Sequence, residues 1–72
     1  MVKAIIIEDE KKSRAALTGL LARYCPNVIL QGEAEGMRSG LEMIRKSNPD
    51  VVFLDIQMPD GSGFKLLEEL DE

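Results

Sequence analysis

Two short runs in this chain, Ile5-Ile6-Ile7 and Val51-Val52-Phe53-Leu54, are apolar at every position, and each leads directly into a carboxylate. A strand with one face in water alternates apolar and polar residues. One that is apolar at consecutive positions must be covered on both faces, as in a parallel sheet with helices on either side. The first run lies in a candidate strand from Val2 to Ile7 and gives way to Glu8-Asp9-Glu10. The second ends in Asp55, followed by Ile56-Gln57-Met58-Pro59-Asp60-Gly61-Ser62-Gly63, a stretch whose Pro and Gly residues build tight, non-repetitive backbone. Asp55 thus stands at the carboxyl end of a buried strand, where open α/β sheets place their ligands.

The segments between the strands have helical periodicity. From about Lys11 to Tyr24, residues Leu17, Leu20, Leu21 and Tyr24 recur at i, i+3, i+4 and i+7 and predict one buried face, with Pro26-Asn27 as the stop. Val28-Ile29-Leu30 opens another strand, which fades through Gln31-Gly32-Glu33 and reads as an edge. After Glu35-Gly36 a second helix is expected from about Met37 to Lys46, buried through Met37, Leu41 and Ile44. Gly40 in its interior should cost about 1 kcal/mol relative to Ala, so close packing is expected there. Ser47-Asn48-Pro49-Asp50 turns the chain into the third strand, and Phe64, Leu67 and Leu70 suggest a last helix from about Gly63 to Leu70. The order is βαβαβα, which predicts an α/β fold with a parallel three-stranded sheet and right-handed crossovers.

If the first and third strands are neighbours, Glu8, Asp9 and Asp55 converge at one edge of the sheet. Like charges so placed raise one another's pKa unless a cation neutralises them. An oxygen-only donor set suits a hard ion, Mg²⁺ with several retained waters foremost. Such an ion would also neutralise an incoming phosphoryl group, which suits Asp55 as a nucleophile forming an acyl phosphate. Acids ahead of a helix are favoured by its dipole, and Glu8-Asp9-Glu10 alone would carry no more than that. Their pairing with Asp55 at matching strand ends is what points to a site.

Ile5-Ile6-Ile7-Glu8-Asp9-Glu10, Val52-Phe53-Leu54-Asp55, Met58-Pro59 and Gly63 resemble the receiver domain of two-component response regulators, and the resemblance runs from Lys3 to Leu70. It implies that Asp55 is the phosphoacceptor, supplied by a histidine kinase. It further implies that Glu8, Asp9, Asp55 and the backbone carbonyl of Gln57 are the Mg²⁺ ligands. The fold implied is flavodoxin-like, with strand order 2-1-3-4-5, so residues 1–72 are expected to be its first half, a truncated receiver domain in the order 2-1-3. The wording of Phe53-Leu54-Asp55-Ile56-Gln57-Met58-Pro59 and Gly63-Phe64-Lys65-Leu66-Leu67 is most similar to regulators with a LytTR-type DNA-binding output domain. The family's fourth strand with its switch hydroxyl and fifth strand with its phosphate-binding lysine have no counterpart here; Lys3, Lys11 and Lys12 do not match that lysine by position. A structural or assembly module without competent phosphorylation is therefore the alternative expectation.

Other classes are excluded by residue type. The chain has no histidine, which removes histidine general bases and histidine metal sites. Haloacid-dehalogenase phosphatases need a second Asp two positions after the nucleophile, where this chain has Gln57. A net charge of -4 with pI near 4.7 argues against direct nucleic-acid contact. The single cysteine, Cys25, leaves no internal disulfide and reads as a passive thiol of a cytoplasmic protein. No apolar run approaches a membrane span, and no signal-peptide pattern is present. Arg14, Arg23, Arg38 and Arg45 read as a solvated face. A strand as apolar as Val51–Leu54 left at a sheet edge predicts self-association through that edge.

Overall fold

Ala4, Ile5, Ile6 and Ile7 are all fully buried, as a strand covered on both faces requires. In a computed structural model describing residues 1–55, 57–58 and 61–70, with side chains for 1–55 and 65–69, they form the centre of the sheet. Strand β1 (Val2–Ile7) lies between β2 (Val28–Ala34) and β3 (Val51–Leu54) and runs parallel to both, in the expected order β2-β1-β3. Three helices, α1 (Lys11–Tyr24), α2 (Met37–Ser47) and α3 (Gly63–Leu70), follow the strands at the expected boundaries.

Successive residues of a strand face opposite sides of the sheet, and each side is covered differently. Ile5 and Ile7 pack with Ala34, Leu41 and Leu66 in one buried cluster, joined by Met37, Met43, Ile44, Val52 and Leu54. This is the face of α2 and α3, so the assignment of Met37, Leu41 and Ile44 to the buried side of α2 holds. Helix α2 begins where Ser39 Oγ accepts from Gly36 N–H at 3.3 Å and ends at Asn48, whose left-handed φ of 47° turns the chain toward β3. The expected close packing at Gly40 is also present: a Cβ there would stand 2.6 Å from Ile7 Cδ1.

The α1 face is thinner. Of the four residues expected to be buried there, Leu21 is buried and Leu17 half-buried, but Leu20 and Tyr24 are 54% and 65% exposed. The guanidinium of Arg23 lies over the Tyr24 ring, 5.4 Å from its centroid. Strand β3 takes the edge position that the order 2-1-3 implies, and so lacks the burial on both faces that its apolar run predicts. Its residues are half-buried and Val51 is 38% exposed, because β3 is an edge strand under a partly covered face. Strand β2 is longer than its sequence suggests. It reaches Ala34 through a register shift, Ala4 pairing with Leu30 and Ile5 with Gly32, which leaves Gln31 unmatched. Beyond β3, β4 (Gln57–Met58) pairs antiparallel with β5 (Gly61–Ser62) in a stretch expected to be only loop. Two residues per strand are too few for a visible alternation.

Candidate metal centre

The sheet's hydrogen bonding continues one residue past β1 and β3 and places the acids. Asp55 N–H donates to Ile7 O at 2.9 Å, extending the β1–β3 ladder, and Glu8 N–H donates to Ala34 O at 2.9 Å on the β2 side. With Ile7 opposite Leu54, Glu8 and Asp55 become neighbours across two strand ends. Asp9 follows at once, its N–H donating to Glu8 Oε2 at 3.1 Å. One carboxylate oxygen from each of Glu8, Asp9 and Asp55 lies within 4.8 Å of the others. Glu8 and Asp55 are half-buried and Asp9 is exposed, so the group opens to solvent on one side.

Helix capping does not account for these acids. The N-cap of α1 is Glu10, which makes no side-chain capping hydrogen bond, and no acid occupies the first turn. The Glu8 carboxyl is raised from 4.5 to about 6, first by hydrogen bonding to Asp55, then by burial, with the charges of Asp55 and Asp9 adding to it.

The donor set fits Mg²⁺. The three side-chain donors are carboxylate oxygens within 4.8 Å of one another, and an octahedral ion at about 2.1 Å would hold ligand oxygens between about 3 and 4.2 Å apart. Of the expected ligands, Glu8, Asp9 and Asp55 come together. Gln57, the fourth expected ligand through its carbonyl, belongs to β4, where it pairs with Ser62. Beside the acids, Ile6, Ser13, Leu17, Phe53 and Leu54 line an open groove of about 340 Å³ between α1 and the sheet.

Sequence reasoning missed Arg14, assigning it to a solvated face. Its side chain is 12% exposed; Nη1 donates to Glu8 O at 2.9 Å and to Asp9 O at 3.2 Å, and Nη2 to Glu35 Oε1 at 3.3 Å. Side chains on a helix lean toward its N-terminus, so a residue one turn into α1 reaches back to the loop that precedes it. That lean, with Glu33 and Glu35 two apart at the end of β2, is the signal that could have found the contact.

A family model described as the response regulator receiver domain matches residues 4–72. An uncharacterized response regulatory protein of Vibrio cholerae is 45% identical over 71 residues, 99% of this chain and 30% of that protein. The sensory transduction protein LytT of Bacillus anthracis is 41% identical over 66 residues, 92% of this chain and 26% of that one. The chain therefore spans less than a third of these curated relatives. Among solved structures, the response regulator domain of Thermotoga maritima CheB is similar with TM-score 0.88 at 24% identity, a likeness of fold, over 94% of this chain and 50% of that one. The N-terminal domain of an uncharacterized protein from Wolinella succinogenes is similar with TM-score 0.81 at 27% identity, over 97% and 55%.

Proposed function

The chain belongs to the response regulator receiver domain family, and from that premise we propose that Asp55 accepts a phosphoryl group from a phosphohistidine of a histidine kinase. Glu8, Asp9, Asp55 and the Gln57 carbonyl are the residues that hold Mg²⁺ in this reading. The observation that carries it is the convergence of three carboxylates at the ends of β1 and β3, with Glu8 raised toward neutrality by its neighbours. Acids arranged so that they repel one another cost stability unless a cation belongs among them.

In the reaction a carboxylate oxygen of Asp55 attacks phosphorus. The P–N bond to the kinase imidazole breaks, the freed nitrogen takes up a proton, and an acyl phosphate remains on Asp55. Bound Mg²⁺ supplies charge neutralisation for the phosphoryl oxygens as they approach the acids. The ladder bond from Asp55 N–H to Ile7 O holds the nucleophile at the sheet edge, and the solvent-facing side by Asp9 leaves room for a donor. Within a longer regulator the chain is the phosphorylated input module, and the histidine kinase is its partner.

The test needs no kinase. A small acyl phosphate should label the chain, and a beryllofluoride mimic should bind, only with Mg²⁺ and only with Asp55 present. Asp55→Asn should remove both, whereas equal labelling of that variant would place the acceptor elsewhere. Asp9→Asn should abolish most of the Mg²⁺-dependent rise in melting temperature; an unchanged rise would take Asp9 out of the site.

A further inference from the structure

Arg14 has more partners than a surface cation. Its guanidinium bridges two segments distant in sequence: the loop after β1, through the carbonyls of Glu8 and Asp9, and the end of β2. There Nη2 meets Glu35 Oε1 at 3.3 Å and Nε stands 3.7 Å from Glu33 Oε1. The two carbonyls belong to the residues whose carboxylates meet Asp55. A single nitrogen can bond two successive carbonyls only if both converge on it, and a carbonyl held in direction restrains the backbone torsions on either side. Those torsions aim the Cα–Cβ bonds of Glu8 and Asp9.

Its charge faces elsewhere. Glu33 and Glu35 oppose the guanidinium from β2 and the turn after it, so what Arg14 lends to the acidic site is geometry. The planar fork suits this task. A lysine ammonium carries the same charge but cannot span two carbonyls and two carboxylates in fixed directions.

We propose that Arg14 is a positioning residue for the metal centre, locking the Glu8-Asp9 backbone to the end of β2 so that both carboxylates face Asp55 ready for a divalent cation. This rests on the reading of Glu8, Asp9 and Asp55 as Mg²⁺ ligands. The sign of one measurement separates positioning from simple electrostatics. Deleting a cation near a site for another cation strengthens binding if charge alone matters; it weakens binding if the deleted group aimed the ligands.

The experiment is calorimetric titration of Mg²⁺ into the parent chain and into Arg14→Ala, Arg14→Lys and Asp9→Asn, with circular dichroism confirming fold. Arg14→Ala should weaken Mg²⁺ by about tenfold, the lower end of what loss of a ligand-orienting partner costs a metal site. Arg14→Lys, which keeps the charge, should restore only part of the affinity. Equal or tighter binding by folded Arg14→Ala overturns the proposal. Should that variant not fold, parental affinity in Arg14→Lys overturns it. Asp9→Asn reports on the underlying reading: parental Mg²⁺ affinity there would remove the metal centre itself, whatever Arg14 does.

Discussion

Glu8 and Asp55 stand next to each other at the ends of two adjacent parallel strands, a carboxylate oxygen of each within 4.8 Å of the other, and Asp55 favours the protonated form of Glu8. Because this raises Glu8 to about 6 from 4.5, the folded chain binds more protons than the unfolded one between those values. Stability from this group is therefore present at low pH and is lost as pH rises through about 6. Glu8→Gln should flatten that part of the profile, measured as denaturation midpoints from pH 4.5 to 7.5 in chelator. A metal ion must displace the same proton, so the Mg²⁺-dependent rise in melting temperature should be larger at pH 7.5 than at pH 5. Equal rises at the two pH values would show that Glu8 does not share its proton with the metal site.

A second expectation concerns the packing that supports the acids. Gly40→Ala would put a methyl 2.6 Å from Ile7 Cδ1 and 3.0 Å from Ile7 Cγ2, and Ile7 is fully buried beside Glu8. Alanine recovers about 1 kcal/mol of helix propensity, but overpacking a filled core costs about 1–3 kcal/mol. The net result should be a loss on the order of 1 kcal/mol in urea denaturation. Adding Ile7→Val, which removes the clashing Cδ1, should make the double variant more stable than the sum of the two single changes. A Gly40→Ala chain more stable than its parent would mean that Ile7 yields freely.

Association is the third. Strand β3 is an edge, and Leu20, Tyr24 and Val51 stay exposed on elements of the thinly covered face and edge. Unpaired strand groups template another strand. A 72-residue chain has little stability to set against such exposure. Two copies joined at β3 about a two-fold axis would pair antiparallel and should bury about 1,600 Å² in a standard interface. Light scattering and circular dichroism on one dilution series should show structure lost together with mass. A cooperative folded monomer at low micromolar concentration would sink this expectation.

Element type and position were legible in the sequence because periodicity is local. Ile5-Ile6-Ile7 had to be a strand covered on both faces, and the burial of every residue from Ala4 to Ile7 agrees. The register that brings Asp55 beside Glu8 follows once β1 and β3 pair. Gly40 was legible as a point of close approach, although not its partner. Val51–Leu54 misled in part. An apolar run states what a strand would favour as neighbours, and among the described residues β3 has a neighbouring strand on one side only.

By itself, then, the sequence determined three strands, three helices and the acids at the carboxyl ends of β1 and β3, since spacing along the chain carries that information. Only the tertiary structure decided how near those acids stand, how far Glu8 is pushed toward neutrality, and that Arg14 turns back to hold the Glu8 and Asp9 carbonyls. Each of these depends on distances between β1, β2 and β3, and a residue pattern has no such distances until the sheet has formed.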